Sequence, residues 1–352
     1  EGERERERER ERGELSSPMA AELSSLSRRR AEDELGESEP LVEAMSARLK
    51  EELVRAAAIA TNADVADGLR RSASMYDLWL LRFLRRRKYR VAEATANVVG
   101  YLRWINVLEG LPPDFGGEWG GQKKTEEKSD AATPGPACEA AMQTSELSFW
   151  NLHLKDVAPF LSCSAIKLLP GRDVNGAAIL YLKSVDELFC SIRQHPIKQW
   201  ILGMQYLLDQ MALEPNTQVC GVGVVYNLSG YSFSLLKQLE SRGDIRQLQK
   251  EKMKAMKTGF PFRFADMWLI DAPWYLYFLW FALWCFMSPD LRSKVHLVSS
   301  KDLSSMHKVV PKASLPITLG GNLTEAEINR SYHKWLDERL IAEGSQPLPM
   351  EQ

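Results

Sequence analysis

The stretch VCGVGVVYNL, residues 219–228, decides how the chain is read. It carries no charge and is rich in β-branched valine. A strand with one wet face alternates apolar and polar residues. This run is apolar on both faces, the pattern of a central strand covered by helices on each side. Gly221 and Gly223 fall on one face and leave it bare, so something is expected to pack closely there. Val222 and Val224 then look toward the interior or a cavity.

Other short apolar runs flank it: 165–169, 177–182, 267–270 and 295–298. They alternate with longer helical segments, which predicts an α/β domain with a mixed, largely parallel sheet. Upstream, spacings of three and four predict helices over 41–60, 74–87 and 91–108, the last burying Ala92, Val99, Leu102 and Trp104 or their neighbours. These form a small N-terminal helical bundle over 41–112. Pro112-Pro113 stops it, and a Gly, Lys, Glu and Pro stretch makes 113–147 a linker or surface loop. The α/β domain then covers 148–325, with a C-terminal helix and tail over 326–352.

Residues 1–40 read as a disordered tail rich in Ser, Glu and Arg. Its opening EGERERERERERGE has no apolar face to bury. It is either a solvated tail or read-through of untranslated message, with Met19 the start.

The net charge of −2 argues against a bulk polyanion binder. Five cysteines, scattered and never in a C-x-x-C pair, fit reduced thiols in a cytosolic compartment and no metal site. No apolar leader follows a basic stretch, so secretion has no support. The histidines at 153, 195, 296, 307 and 333 are isolated, and no nucleophile, zinc or phosphate-loop motif occurs. Asp173, Asp209 and Asp271 read as caps or ion-pair partners. A binding protein without cofactor or metal is expected, not an enzyme.

DAPWYLYFLWFALWCFMSPDL, residues 271–291, contains an uncharged run from Ala272 to Pro289 with eight aromatic residues. Spanning a bilayer takes about 20 apolar residues. Here Pro273 starts a helix and Ser288-Pro289 ends it after about 15 residues, roughly 22 Å. Tryptophans at 274, 280 and 284 lie along its middle rather than at two ends. A helix apolar on all sides that does not span either packs in the core or covers a cavity on one face and touches protein or a bilayer surface on the other.

Several motifs then fall in order: LLRFLRRRKYRVAEA (80–94), GRDVNG (171–176), VVYNLSGYSF (224–233), FPFRFADMWLIDAPW (260–274), SPDLRSKVHLV (288–298) and LPITLGG (315–321). Together they resemble the CRAL-TRIO lipid-binding domains of phosphatidylinositol- and tocopherol-transfer-like proteins. The resemblance implies an α/β sheet flooring an apolar cavity, with Pro273 to Phe286 as its mobile gate helix. It makes Leu169, Leu180, Val222, Val224 and Tyr226 of the floor, and Trp274, Phe278 and Phe281 of the gate, the candidate ligand contacts.

Headgroup chemistry is mixed. The resemblance places Arg87, Lys88, Arg263 and Lys294 where phosphatidylinositol binders carry basic residues, but their acidic residue before the arginine is Phe262 here. The positions that supply polar contacts in choline-headgroup binders are Leu169, Leu180, Val222 and Val224, all apolar. Each polar atom left unpaired there costs about 1–3 kcal/mol, so a ligand less polar than phosphatidylcholine is expected.

Arg82 to Arg90 holds six basic residues and no acid. It reads as a solvated helix end, a phosphate clamp or an anionic-membrane contact. Nucleic acid is not expected, for lack of interleaved aromatics. The functional expectation is a cytoplasmic, peripherally membrane-associated protein that binds a phosphoinositide or other hydrophobic molecule and transfers it between membranes. The alternative is a regulatory module that binds a small GTPase or other protein partner without moving lipid.

Overall fold

The computed structural model describes residues 23–112, 115, 153–163, 165–184, 187, 197–234, 237, 243–277 and 292–342. The linker, most of the gate segment and the C-terminal ten residues lie outside these.

Five helices open the described chain: α1 Ser25–Leu35, α2 Glu39–Ile59, α3 Ala63–Ala73, α4 Asp77–Arg86 and α5 Val91–Glu109. The predicted helices correspond to α2, α4 and α5, while α1 and α3 went unread. In α5 the buried stripe is Val91, Ala94, Val98, Tyr101, Leu102, Ile105 and Leu108; Ala92 is exposed and Val99 half-buried. Residues 25–35, expected to belong to a disordered tail, are helical. The Ser24 side chain accepts from the Ser27 amide at the start, and Gly36, at φ 65°, closes the end.

The remaining helices are α6 Leu154–Cys163, α7 Ile197–Leu213, α8 Pro215–Cys220, α9 Gly243–Thr258, α10 Ser304–Val309 and α11 Glu325–Ala342. The strands are β1 Ile166–Arg172, β2 Ala178–Leu182, β3 Val222–Asn227, β4 Phe264–Ile270 and β5 Val295–Val298, in spatial order β1-β2-β3-β4-β5. Only β1 and β2 pair antiparallel; the other pairs are parallel. The mixed, largely parallel α/β architecture is therefore as expected, with β3 central. Val219 and Cys220 belong to α8 rather than to the strand.

The bare glycine face has a local explanation. Gly221 sits at φ 90°, and a β-carbon there would meet the Arg263 carbonyl oxygen at 2.6 Å. The close neighbour is thus backbone leading into β4, not a crossing helix. At Gly223 the nearest atom would be 3.5 Å away, an ordinary contact.

A single apolar core runs from α2 to α5 through α6 and α7 onto one face of the sheet, including Ile166, Ala178, Leu180 and Val222. The other face, with Leu169, Ile179, Tyr181, Val225, Trp268 and Ile270, packs against Leu303, Met306, Val310, Leu315, Leu319 and Ile328.

Candidate functional site

The sheet register aligns three rows on the bundle-facing side: Ala178, Val222 and Phe264; Leu180, Val224, Met267 and Val295; Leu182, Tyr226, Leu269 and Leu297. Over β2 and the start of β3 this surface is sealed, with Leu180, Val222 and Val224 buried. Over β4 and β5 it is not: Phe264, Met267, Leu269, Val295 and Leu297 are only half-buried, as is Tyr226. On the interior strands β3 and β4, apolar side chains that keep accessible surface are the trace a hollow would leave; β5 is the edge strand beside them. Burial, followed by the neighbouring Tyr231, pushes the Tyr226 hydroxyl up to about 12, so it stays neutral.

Of the predicted floor residues, Leu180, Val222, Val224 and Tyr226 share this side. Leu169 does not. It packs in the opposite core beside Ile179 and Tyr181, so it must be withdrawn from the floor; Leu168, opposite Leu180, takes its place. The register of β1 shifts between Leu168 and Arg172, where alternation cannot be carried through by counting. A separate groove of about 290 Å³ lies beside β1, lined by Leu168, Pro170, Arg172, Glu214, Trp335 and Glu338. The Arg172–Glu214 ion pair in its wall makes it unlike an acyl-chain site.

The basic run divides. Arg82 is buried and donates to Asp209 at 2.7 Å, its guanidinium lying 4.4 Å from the Trp79 ring centroid. Asp209 also accepts from Tyr101 and Gln205. Arg85, buried as well, donates to both carboxylate oxygens of Glu37 and to Gln218 at 2.8 Å. Arg86 donates to the Phe262 and Met256 carbonyls; burial and then Arg87 lower its pKa to about 10, which leaves it a cation at neutral pH. These three fasten α4 to the α/β domain, so for half of the run neither a solvated end nor a phosphate clamp is correct.

Arg87 and Lys88 lie at the α4–α5 turn, Lys88 exposed with φ 49° and Arg87 donating to the Lys257 carbonyl at 3.3 Å. Arg263 precedes β4, where its guanidinium donates to the Val219 carbonyl and to Glu34, both at 2.9 Å. Burial alone would raise the Glu34 carboxyl, but hydrogen bonds from Arg30 and Arg263 hold it below the ordinary range. Lys294 precedes β5, its carbonyl accepting from Met267. Arg263 and Lys294 thus share the end of the sheet where its parallel strands begin.

At the opposite end stands an aromatic cluster. Asn227 accepts from the Ser229 amide in an Asx-type turn, and the loop continues to Tyr231 and Phe233. The Tyr275 hydroxyl donates to the Tyr231 carbonyl at 2.7 Å, and its ring lies 5.5 Å from Phe233 and 5.9 Å from Trp274. Trp274 is 74% and Phe233 62% exposed, values rare for such side chains. Asp271 holds the turn before them at φ 50°, its carboxylate accepting from the Ser300 amide at 2.8 Å. Phe278 and Phe281 fall outside the described residues. Among the described residues no helix is long and apolar enough to cross a membrane, and no group of acidic, His and Cys side chains could hold a metal ion.

A family model for the CRAL/TRIO domain matches residues 164–321, from just before β1 to just past the last turn of the opposite core. Over these residues the chain is similar to a CRAL/TRIO domain. It is 24% identical over 288 residues to the mouse Alpha-tocopherol transfer protein-like, covering 79% of this chain and 68% of that one, and 23% identical to its human counterpart over the same coverage. It is also 24% identical over 161 residues to rat Clavesin-1, covering 44% of this chain and 42% of that one. The crystal structure of Sfh5 aligns with a TM-score of 0.40 and 11% identity, over 85% of this chain and 98% of that one.

CRAL/TRIO domains bind and transfer lipids. Within the matched residues, Met267, Leu269, Val295 and Leu297 were not singled out from the sequence although they occupy alternate positions of two runs read as strands. Their signal was present: once β3 supplies a face, pairing carries it to β4 and β5.

Proposed function

We propose that the chain takes up the apolar part of a lipid in the hollow over β3, β4 and β5 and carries it between membranes, the segment from Pro273 to Phe286 acting as the gate. The half-buried apolar face of Tyr226, Met267, Leu269, Val295 and Leu297 carries this reading. Each methylene withdrawn from water contributes about 0.8 kcal/mol, which offsets removal from the bilayer where the hollow matches the chain. Trp274 and Phe278 with Phe281 contact ligand from the gate side. Leu180, Val222 and Val224 offer no polar partner to a choline headgroup, and we expect phosphatidylcholine to be a poor ligand.

The exposed Trp274, Tyr277 and Phe233 suit transient landing on a membrane, since aromatic rings tolerate the boundary between water and acyl chains. Arg87, Lys88 and Lys294 are the proposed contacts for an anionic headgroup; Arg263 joins them only if Glu34 lets go. The protein then works in the cytoplasm and touches membranes peripherally, and no reaction chemistry is assigned to it. Transfer of labelled lipids between two populations of liposomes tests the reading. A regulatory module would give binding without transfer, and native mass spectrometry showing no co-purifying lipid, with no uptake from liposomes, would sink it.

A further inference from the structure

Helix α9, GDIRQLQKEKMKAMKT, has two faces. At 100° per residue, Ile245, Leu248, Ala255 and Met256 form one stripe, and it packs into the core shared with the bundle. Arg246, Lys250, Met253, Lys254 and Lys257 form the other, an outward groove. Lys252 does not belong with those cations: seven residues on from Ile245 and four from Leu248, it sits at the centre of the inner stripe.

A lysine there would ordinarily be buried or paired, and this one is neither. It is exposed, and among the described residues no hydrogen bond or ion pair engages its ammonium. Desolvation by the protein crowded around this exposed side chain nevertheless lowers its pKa below the usual lysine value, with no acidic group offsetting the effect. Accessible surface together with dense surroundings is what a side chain at an internal hollow has. The topology agrees. A β3–α9–β4 crossover of the usual right hand puts α9 on one face of the sheet, where it packs against α5. Ile245 and Ala255 place it on the side of the half-buried Tyr226, Met267 and Leu269. An unpaired cation in such a setting is costly unless something anionic joins it.

We infer that Lys252 is the counter-ion for one anionic group at the head of the lipid, so that the hollow selects carboxylate- or phosphate-headed chains over neutral ones. This rests on the proposal that the hollow takes up a lipid chain, and it adds the chemistry of the head.

Equilibrium binding of oleate, oleoyl lysophosphatidate and oleyl alcohol to the full chain separates the two sources of charge from the chain itself. Oleate or lysophosphatidate should bind at least about tenfold tighter than the alcohol. That gap should close in Lys252→Met with alcohol binding kept, and reopen in Lys252→Arg. Preference for only one of the two anions names the head. An unchanged preference in Lys252→Met, or alcohol bound as tightly as both anions by the parent chain, overturns the role of Lys252 alone. Failure of all three probes to bind overturns the hollow itself, and the inference with it.

Discussion

One side of one sheet behaves in two ways. Over β2 and the start of β3, Ala178, Leu180 and Val222 are buried against the helices. Above them α4 and α7 are joined by the Arg82–Asp209 pair, deep among Trp79, Phe83 and Tyr101. Over β4 and β5, residues of the same apolar character remain half-buried. The difference is not composition but what lies opposite: a fastened bundle at one end and, in the function proposed above, a hollow for lipid at the other. The proposed transfer role would need both, because only a wall that holds its shape can lose and regain a ligand without unfolding.

The largest effect is expected at the fastened end. Arg82→Ala leaves Asp209 buried with only neutral partners, Tyr101 and Gln205, and should cost about 3–5 kcal/mol in denaturant unfolding. Replacing both charges, Arg82→Met with Asp209→Leu, should recover most of that loss. A single Arg82→Ala within 1 kcal/mol of the parent would show that the wall is held by packing alone.

Next come paired truncations on one side of the sheet, in neighbouring rows. Leu180→Ala at the sealed end should cost about 2–5 kcal/mol, whereas Leu269→Ala at the open end should cost about 1 kcal/mol or less, having fewer contacts to lose. Leu269→Trp should leave the melting temperature nearly unchanged and abolish lipid uptake. Equal destabilisation at both positions would erase the distinction between wall and hollow.

The wall and the strands were legible in sequence because β-branched apolar runs state their own structure. What could not be read depends on partners far along the chain. Arg82 and Arg85 sat in a run that looked solvated because Asp209 and Gln218 lie more than 120 residues away. Helix α1, SLSRRRAEDEL, is too charged to signal itself; Glu34 on Arg263, Arg30 on the Asn175 carbonyl, and Ala31 with Val219 and Cys220 hold it. Helix α3 has little apolar surface and a glycine, Gly68, where a β-carbon would meet Leu102 at 2.9 Å. The error at Leu169 was one of parity, a strand irregularity that local pattern does not announce.

Helix α1 tests the comparison more gently, through pH. Glu34 is held below its unfolded pKa, so its contribution to stability is complete above the unfolded carboxylate value and is lost as pH falls through the folded one. Partial exposure limits that contribution to about 1 kcal/mol or less. The gap in melting temperature between the parent chain and Glu34→Gln should be present at neutral pH and close on acidification below the carboxylate range. A gap that persists there would assign the effect to packing of α1.

The last effect, read in transfer rate more than in stability, is expected at the turn that launches the aromatic end. Asp271 combines a left-handed backbone with a carboxylate that receives the Ser300 amide and the Ser299 hydroxyl, tying the exit of β4 to the exit of β5. Burial alone would raise that carboxyl, but the bonds from Ser300 and Ser299 outweigh it and hold it low. Asp271→Asn tolerates the same backbone and keeps an acceptor, so it should be close to neutral. Asp271→Gly frees the backbone but drops the acceptor, and Asp271→Ala loses both, at about 1–2 kcal/mol. If this turn sets the angle at which Trp274 and Tyr275 meet a membrane, transfer rates should fall in the order Asn, Gly, Ala while lipid affinity at equilibrium holds. Affinity falling in step with rate would instead place Asp271 among the supports of the hollow, and the two ends of the sheet would no longer have separate roles.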